Sequence, residues 1–488
     1  MGIWSLIENN IEKYGDSVAF SNVNEKPLTY NALMLVVGQY SNALNRLSFM
    51  NNRLVVIVDN PYTESILVLT GLRVGFTIVP VSRKYGEKLL ERIIVLADPG
   101  MIVTDNNDEF NYYKSLGFCV SSINEIERLS EEEIVSNISF SSQIPKNEAL
   151  AFIMFTSGTT GEPKGVMLSH DNITSNIKAI ESYLSSSPGD KLLICRPLFH
   201  VAVMTGELLY GLYRGLEISF YYQAFEPRKL MRYIIEHEIN IIGATPTVFG
   251  YLSDLVLRNN NPNKIKTIII SGERLMEETA VKINAAFYNV LKYHSYGLTE
   301  ASPRIAFLEP ALFDTKLCSI GKPLNGIECR LTVIDDNAVP NIGELEVRGP
   351  NIMIGYWRSD DLTKDKLING WLHTGDLAYF DNDGYLFIVG RKDDMIIRAG
   401  VNIYPQEIEE ELLKIEGIDD VMVYGVDDLK YGQRICANVV IKPNITTDIL
   451  YTFICEAVPE YKRPLEINIV SEIHKNSAGK KIRKILKE

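Results

Sequence analysis

Short aliphatic runs alternate with longer amphipathic stretches through the middle of the chain. Three of the runs predict strands, at residues 217–221, 239–243 and 267–271. The stretches between and after them predict helices, at residues 227–236, 247–258 and 276–287. Earlier in the chain, strands are predicted at residues 54–58 and 77–81, around a helix at residues 62–74. Because a crossover helix lets consecutive strands run in the same direction, this order predicts parallel sheet.

The pattern changes after about residue 326. Short strands separated by turn clusters, such as residues 335–337 and 381–384, predict an antiparallel β region. A smaller pattern follows Arg391, with helices at residues 405–414 and 449–457 and strands at residues 421–426 and 435–441. The predicted fold class is therefore α/β. A large N-terminal domain (residues 1–392) has mainly parallel sheets, helices and a β-rich subdomain, and a small α+β domain follows (residues 393–488).

Composition is that of an ordinary globular protein. The chain has 488 residues, of which 46% are hydrophobic and 23% charged, so it buries a large core without metal or disulfide support. The six cysteines show no CxxC spacing and the six histidines no HxxxH pair, which indicates reduced thiols, a cytoplasmic location and no zinc site. The N-terminus lacks the apolar core of a signal peptide, and the later apolar stretches are interrupted, so no membrane span is predicted.

The formal net charge is −13. Such a charge repels nucleic acid and anionic membrane surfaces, so neither is an expected partner. Residues 475–487 form the one concentrated basic run.

A loop rich in glycine and hydroxyl residues follows an apolar run of strand length at residues 151–155. Its glycines (Gly158, Gly161, Gly165) allow backbone N–H groups to approach an anion, and its side chains add further donors (Thr156, Ser157, Thr159, Thr160, Lys164). The loop is not a Walker motif, because Lys164 follows proline and precedes glycine. The composition predicts a phosphate-binding loop; a flexible hairpin is the alternative.

At this point the sequence resembles the adenylate-forming superfamily, which includes acyl- and aryl-CoA synthetases, carrier-protein-loading adenylation domains and luciferases. Six motifs carry the resemblance in order, at residues 156–165, 197–200, 296–300, 374–376, 390–394 and 479–483. The resemblance implies that the chain activates a small carboxylic acid with ATP and Mg²⁺ as an acyl-adenylate, releases pyrophosphate, and transfers the acyl group to coenzyme A. The alternatives are transfer to the phosphopantetheine of an acyl carrier protein, and a non-catalytic nucleotide-binding protein.

The resemblance also implies a nucleotide site. Residues Thr156 to Lys164 would hold the β- and γ-phosphates, Thr299 the α-phosphate, and Glu300 the Mg²⁺, since a lone carboxylate would repel a triphosphate. Asp376 and Arg391 would hydrogen-bond the ribose hydroxyls. Tyr296 would pack against the adenine, the segment with Gly272 and Glu273 would line the same base, and Gly297 is a further nucleotide-binding candidate. A solvated loop acid is the alternative for Glu300, and a buried structural tyrosine is the alternative for Tyr296.

Two candidates belong to the C-terminal part. By resemblance, Lys480 is the catalytic lysine that bridges the substrate carboxylate and the α-phosphate, and Lys481 ranks second. Asp393 lies where the family has the hinge about which a mobile small domain rotates between adenylation and thioester formation.

The acyl pocket is the least determined site. His200 resembles the family's gating aromatic residue, with a core histidine as the alternative. The apolar helix predicted at residues 201–213 is expected to be buried, with Glu207 as its only charge. A buried carboxylate needs a partner. We expect Arg196 to pair with Glu207; an amine-bearing substrate is the alternative.

Other residues of the acyl pocket are inferred from their place in the motifs. Ala202 and Gly206 are assigned to the pocket together with Glu207. Ser295 is assigned to its floor, where it disfavours very long acyl chains. Arg304 is interpreted as a surface-loop arginine, with a counter-ion for a second substrate carboxylate as the alternative.

Overall fold

The computed structural model describes residues 2–22, 25–131, 149–157, 162–258, 264–333, 341–399, 401–442, 447–474, 481 and 483. The chain divides into two compact units. The first comprises residues 1–328 and 348–370, and the second comprises residues 329–347 and 371–488. The predicted boundary between residues 392 and 393 is a different division and stays a prediction.

The helices are as follows: α1 (Ile3–Tyr14), α2 (Tyr30–Arg46), α3 (Pro61–Val74), α4 (Glu87–Ala97), α5 (Asn107–Ser115), α6 (Ile123–Glu131), α7 (His170–Glu181), α8 (Val201–Val203), α9 (Tyr210–Arg214), α10 (Pro227–Glu236), α11 (Pro246–Leu257), α12 (Glu277–Ala286), α13 (Asp360–Lys366), α14 (Pro405–Leu413) and α15 (Thr447–Ala457).

The strands are as follows: β1 (Val18–Asn22), β2 (Glu25–Thr29), β3 (Arg53–Ile57), β4 (Thr77–Pro80), β5 (Met101–Thr104), β6 (Val120–Ser122), β7 (Leu150–Ser157), β8 (Pro163–Ser169), β9 (Lys191–Ile194), β10 (Glu217–Phe220), β11 (Ile241–Ala244), β12 (Thr267–Ile270), β13 (Leu291–Gly297), β14 (Arg304–Leu308), β15 (Lys322–Pro323), β16 (Glu328–Thr332), β17 (Gly343–Arg348), β18 (Gly355–Tyr356), β19 (Leu367–Ile368), β20 (Trp371–Phe380), β21 (Leu386–Arg391), β22 (Ile396–Arg398), β23 (Val401–Ile403), β24 (Ile418–Asp428), β25 (Gly432–Ile441) and β26 (Glu466–Ile469).

Two sheets form the first unit. One has the order β15-β14-β13-β12-β11-β9-β10-β1-β2 and the other β18-β8-β7-β4-β3-β5-β6. The central pairs β9–β11, β11–β12 and β12–β13 are parallel, as are β3–β4 and β3–β5. The predicted α/β class with mainly parallel sheets is therefore confirmed. The helix predicted at residues 227–236 has the bounds of α10, and the other predicted elements of this unit shift by one or two residues.

Local sequence explains where the helices begin and end. Asn60 accepts the N–H of Tyr62 and so caps α3, which starts with Pro61. The helix ends at Gly75, whose φ of 97° is left-handed and whose N–H donates to Gly71. Buried residues lie on nearly every side of α3, as expected for a helix that is covered by a sheet and by other helices.

The second unit is β-rich and then α+β. Strand β20 pairs antiparallel with both β17 and β21, which confirms the predicted antiparallel region. The predicted turn at residues 335–337 lies outside the described residues. Strands β22 to β26 form a second sheet, and α14 and α15 cover a core that includes Leu412, Val421 and Leu450. The four elements predicted after Arg391 all occur.

Across the described ranges, no helix combines the length and the apolar character that crossing a bilayer requires. All six cysteines are free thiols.

The buried histidine His294 is expected to make the free energy of unfolding depend on pH. His294 is 3% exposed and its Nδ1 donates to the Ser319 carbonyl at 2.6 Å. Burial lowers its pKa to about 4. The unfolded chain binds this proton near pH 6.5, so the stability contribution is complete above that pH and falls as pH drops towards 4. We expect the free energy of unfolding, measured with urea, to fall by about 2 kcal/mol between pH 7 and pH 5 because of this group. His294→Asn is expected to reduce that slope but not to remove it, because burial also lowers the pKa of His170 to about 4. An unchanged slope would contradict the assignment.

Candidate active site

The carboxyl ends of four neighbouring strands meet at one edge of the larger sheet. Arg196 lies two residues after β9, Thr245 follows β11, Ser271 follows β12, and Tyr296 lies near the end of β13. The strand order β13-β12-β11-β9 makes these ends adjacent. This edge of a parallel sheet is where α/β proteins bind ligands. Residues predicted to contact the adenine and residues predicted to lie near the acyl group are therefore found at the same edge of the sheet.

The predicted phosphate loop begins and ends on a β-hairpin. Strands β7 and β8 are antiparallel, and Thr156 lies opposite Lys164 in their register. Both side chains are half-buried. The side chain of Ser157, and the whole of Gly158, Thr159, Thr160 and Gly161, lie outside the described residues.

Gly165 lies where strand β8 packs closely against its neighbours. A Cβ at this position would lie 2.8 Å from Ile153 Cγ2 and 3.1 Å from Trp357 Cβ. The Gly165 carbonyl also accepts the Trp357 N–H at 2.7 Å. Close packing of strand β8 explains why the residue is glycine, and its interpretation as an anion-binding glycine stays a prediction.

Glu300 lies in a short 3-10 turn (Thr299–Ala301) between β13 and β14. Its Oε1 accepts the Tyr356 hydroxyl at 2.8 Å, and its carbonyl accepts the Met353 N–H at 2.9 Å. The residue is half-buried, and so is Thr299. The hydrogen bond from Tyr356 therefore holds the Glu300 carboxylate in one orientation. A fixed hard oxygen ligand of this kind suits Mg²⁺.

The turn around Glu300 is rigid. A Cβ at Gly297 would lie 1.8 Å from the Pro303 carbonyl oxygen, so this position accepts only glycine. Asn351 Nδ2 donates to the carbonyls of Ala301 and Arg304, at 2.8 and 3.1 Å. These contacts fix the path of the backbone from Tyr296 to Arg304.

The predicted adenine segment lies after β12. Gly272 has a φ of +95°, which strongly favours glycine. Glu273 Oε2 accepts the Thr247 hydroxyl at 2.7 Å, which ties the segment to the first turn of α11. Tyr296 is half-buried.

In the second unit, the two predicted ribose ligands lie side by side. Asp376 and Arg391 are register partners on β20 and β21, and Arg391 Nη1 donates to Asp376 Oδ1 at 2.8 Å. Asp376 is 5% exposed, and its N–H donates to the Thr374 hydroxyl at 3.0 Å. Asp376 offers a hydrogen-bond acceptor and Arg391 a planar donor side by side. Two neighbouring hydroxyl groups, such as those of a ribose, can bind to such a pair.

The nearby turn at Asp381 is structural. Asp381 Oδ1 accepts the N–H groups of Asp383 and Tyr385 at 3.0 and 2.8 Å. Among the residues that the structure describes, no group of three metal-ligating side chains occurs.

The candidate acyl pocket is built on an irregular helix. The helix predicted at residues 201–213 is buried, as expected, but residues Met204–Leu209 form a π-helix between α8 and α9. Such insertions are common at functional sites because they redirect side chains. Gly206 and Glu207 lie in the π segment, and Ala202 lies in α8. Half-buried His200 caps α8, and its ring lies 4.2 Å from that of Phe199.

Two expectations about the pocket's charges have different outcomes. The pairing of Glu207 with Arg196 is confirmed: Arg196 Nη2 donates to Glu207 Oε1, and the Glu207 side chain is fully buried. The interpretation of Arg304 as a surface-loop residue is wrong, because Arg304 is 2% exposed at the start of β14. Ser295 is 3% exposed.

The C-terminal candidates are only partly described, because Lys480 lies outside the described residues. Lys481 Nζ contacts Asp420 Oδ1 at 2.7 Å and donates to the Val421 carbonyl at 2.6 Å. Arg483 Nη2 donates to Glu409 Oε2 at 2.9 Å. Lys481 thus contacts β24, and Arg483 contacts α14. Asp393 is exposed in a 3-10 turn (Lys392–Asp394).

Sequence reasoning missed residues that hold the candidates in place. Tyr356 contacts Glu300 from 56 positions away, and Asn351 and Asn176 fix the backbone at Arg304. Their partners are distant in sequence, so no local pattern identifies them. Thr247 lies in a helix that was predicted, but its contact with the candidate Glu273 was not predicted.

Comparisons with known proteins cover nearly the whole chain. The sequence model of the AMP-binding enzyme family matches residues 7–357, and that of the AMP-binding enzyme C-terminal domain matches residues 407–480. A 2-succinylbenzoate–CoA ligase of Oceanobacillus iheyensis is 30% identical over 476 residues, 96% of this chain and 95% of that protein. A long-chain-fatty-acid–CoA ligase of Escherichia coli is 27% identical over 536 residues, 99% of this chain and 93% of that protein.

Solved structures agree with the sequence comparisons. The o-succinylbenzoate CoA synthetase of Bacillus subtilis, in complex with its acyl-adenylate intermediate, has a TM-score of 0.86 and 25% identity, covering 100% of this chain and 98% of that chain. The same enzyme in complex with ATP and a magnesium ion also has a TM-score of 0.86 and 25% identity, covering 100% of both chains.

Proposed function

Because the chain belongs to the AMP-binding enzyme family, we propose that the residues described above form its adenylation site. The activity is that of an AMP-forming acid–CoA ligase, which activates a small carboxylic acid with ATP and Mg²⁺ as an acyl-adenylate and then forms a thioester with coenzyme A. The individual residue roles and the identity of the acid belong to the proposal.

The observation that supports these roles best is the shared edge of the larger sheet. The ends of β9, β11, β12 and β13 bring the candidate adenine segment, the Tyr296 turn and the candidate acyl pocket together. Joining a carboxylate to a phosphate brings two anions into contact, so catalysis requires positioning and neutralisation of charge. Mg²⁺ supplies part of that neutralisation when bound.

Separate residues carry separate parts of the reaction in this proposal. Glu300, fixed by Tyr356, holds the metal ion, and Thr156 and Lys164 flank the triphosphate. Asp376 and Arg391 bind the ribose hydroxyls. Lys480 neutralises charge at the reacting carboxylate, and Thr299 contacts the α-phosphate. His200, at the start of α8, closes the acyl pocket. Gly272 and Glu273, with Tyr296 and Gly297, surround the adenine.

A panel of acids with each thiol acceptor tests the proposal. The panel includes 2-succinylbenzoate and long-chain fatty acids, the acids in the names of two relatives, because those names disagree on the acid. We expect acid-dependent exchange of labelled pyrophosphate into ATP, and AMP release with coenzyme A. AMP release only with a phosphopantetheine-loaded carrier protein would favour the carrier-loading alternative. The absence of exchange across the panel would contradict the proposal.

Asp393 is proposed as the hinge, and one substitution tests it. Proline fixes its own φ and restricts the preceding residue, so Asp393→Pro is expected to hold the backbone in one state. We expect one half-reaction, adenylation or thioester formation from supplied acyl-AMP, to persist while the other falls by more than about tenfold, as hinge changes alter enzyme kinetics. Asp393→Ala removes the exposed carboxylate without this restriction and is the control. If both half-reactions survive in the proline variant, the hinge lies elsewhere.

A further inference from the structure

Buried polar atoms without partners cluster around the candidate acyl pocket. Within the described part of the chain, six such atoms belong to residues on or beside this edge of the sheet: Arg196 Nε, Thr205 Oγ1, Glu207 Oε2, Ser271 Oγ, Ser295 Oγ and Arg304 Nε. A buried polar group without a hydrogen bond destabilises the fold by roughly 1–3 kcal/mol. Six of them in one region can hydrogen-bond a polar group of a ligand.

Two glycines, Gly206 and Gly243, let the charged side chains of this region approach one another. A Cβ at Gly206 would lie 3.3 Å from Arg304 Nη2. A Cβ at Gly243 would lie 2.4 Å from Glu207 Oε1 and 3.4 Å from Arg196 Nη2. The guanidinium of Arg304 therefore lies against the π segment that carries Glu207, and Glu207 contacts Arg196.

The charges of this cluster do not balance. Arg196 and Glu207 form an ion pair, but no carboxylate of the described residues lies within ion-pairing distance of Arg304. Burial lowers the pKa of Arg304 and raises that of Glu207. With Glu207 ionised the three side chains carry one net positive charge, and with Glu207 protonated they carry two. Arginine stays charged in proteins, so the excess charge requires an anion.

Arg304 is also held in place. Its N–H donates to Asn176 Oδ1 at 3.2 Å, and its carbonyl accepts Asn176 Nδ2 at 2.8 Å. The carbonyl also accepts Asn351 Nδ2 at 3.1 Å. Fixing both backbone groups pre-organises the side chain, and pre-organised groups of this kind favour ligand binding.

We propose that the acid activated by this enzyme carries a second carboxylate, and that Arg304 binds this distal carboxylate at the far end of the acyl pocket. The inference rests on the proposed function, because it takes the π segment as a wall of the acyl pocket. The planar guanidinium suits a carboxylate in bidentate geometry. The unpartnered hydroxyls of Thr205 and Ser295 supply further donors.

The same cluster disfavours other acids. An amine on the acyl group would meet a net positive charge, since Glu207 already pairs with Arg196. A long alkyl chain would bury the unpartnered polar atoms against methylene groups, which satisfies none of them.

The test compares matched acids. Pyrophosphate exchange is measured with aliphatic and aromatic dicarboxylic acids and with the monoamide of each, which has nearly the same size but no distal charge. We expect kcat/KM for a diacid to exceed that of its monoamide by about 30-fold or more, the scale of a buried charge pair. Arg304→Gln is expected to lower kcat/KM for the diacid by a similar factor, mainly through KM, and to leave the monoamide within a few-fold. Arg304→Lys should restore part of the diacid activity.

Arg348→Gln is the control variant, since that exposed arginine pairs with Glu328 elsewhere in the first unit. An equal effect of Arg304→Gln on diacid and monoamide would overturn the inference. So would a wild-type enzyme that activates monoacids as well as diacids.

A second measurement uses only the wild-type protein, so it does not depend on the folding of a variant. Non-hydrolysable acyl sulfamoyl adenosines, made with and without the distal carboxylate, are compared by calorimetry. Tighter binding of the carboxylate form, by about 30-fold or more, is expected for a desolvated pair. Equal binding of both forms would overturn the inference but leave the adenylation site intact. Binding of neither form would contradict the proposed function as well.

Discussion

Replacing Lys480 with alanine is expected to reduce acid-dependent pyrophosphate exchange by about 10²- to 10³-fold, the usual effect of removing one group that stabilises transition-state charge. The reason is electrostatic, because the proposed lysine neutralises two anions only while the carboxylate attacks the α-phosphate. Thioester formation from supplied acyl-AMP does not include that step. We therefore expect the second half-reaction to stay within a few-fold of the wild-type rate.

The neighbouring lysine is a matched control. Lys481 has the same charge and lies one position away, but its Nζ already contacts Asp420 and the Val421 carbonyl. Lys481→Ala is expected to remove the contact with β24 and to lower exchange by less than about tenfold, since its ion pair is partly exposed. Equal loss of exchange in both variants, or loss of both half-reactions in Lys480→Ala, would refute the assignment of Lys480.

Replacing Glu300 with glutamine is expected to have the second-largest effect. The substitution keeps the size of the side chain and the Tyr356 contact but removes the negative charge. A neutral amide is a much weaker ligand for Mg²⁺ than a carboxylate, so we expect exchange to fall by about 10²-fold or more and the Mg²⁺ concentration for half-maximal rate to rise. The measurement is pyrophosphate exchange as a function of Mg²⁺ at fixed ATP.

Tyr356→Phe separates the charge of Glu300 from its orientation. This variant leaves the carboxylate in place and removes only the 2.8 Å hydrogen bond from the Tyr356 hydroxyl. We expect exchange to fall by about tenfold, the lower end of the range for one hydrogen bond to a charged group. A normal Mg²⁺ dependence in Glu300→Gln would show that Glu300 is a structural acid of the turn.

Much of the fold was predictable because its elements have strong patterns. The alternation of aliphatic runs and amphipathic stretches gave β10 to β12 and α10 to α12 within one or two residues. Buried parallel strands are nearly continuous hydrophobic runs, which makes them easy to recognise. The π segment was not predictable, because the helix around it is apolar nearly all round and an extra residue per turn does not alter that pattern.

Candidate site residues were predictable where they lie in the motifs, and the residues outside the motifs that hold them in place were not. The register partners Asp376 and Arg391 came from two motifs, and the structure places them in contact. Arg304 was misinterpreted because its sequence neighbours, Ser302 and Pro303, are typical of a loop. Its backbone is hydrogen-bonded to Asn176, 128 positions away.

The central claim is that the substrate carboxylate attacks the α-phosphorus of ATP, and an isotope experiment tests it most directly. The enzyme is given a carboxylic acid labelled with oxygen-18 in its carboxyl group, together with ATP, Mg²⁺ and coenzyme A, and the products are analysed by mass spectrometry. An acyl-adenylate route transfers one labelled oxygen to AMP in each turnover. Label found in inorganic phosphate, with ADP as the nucleotide product, would contradict the claim.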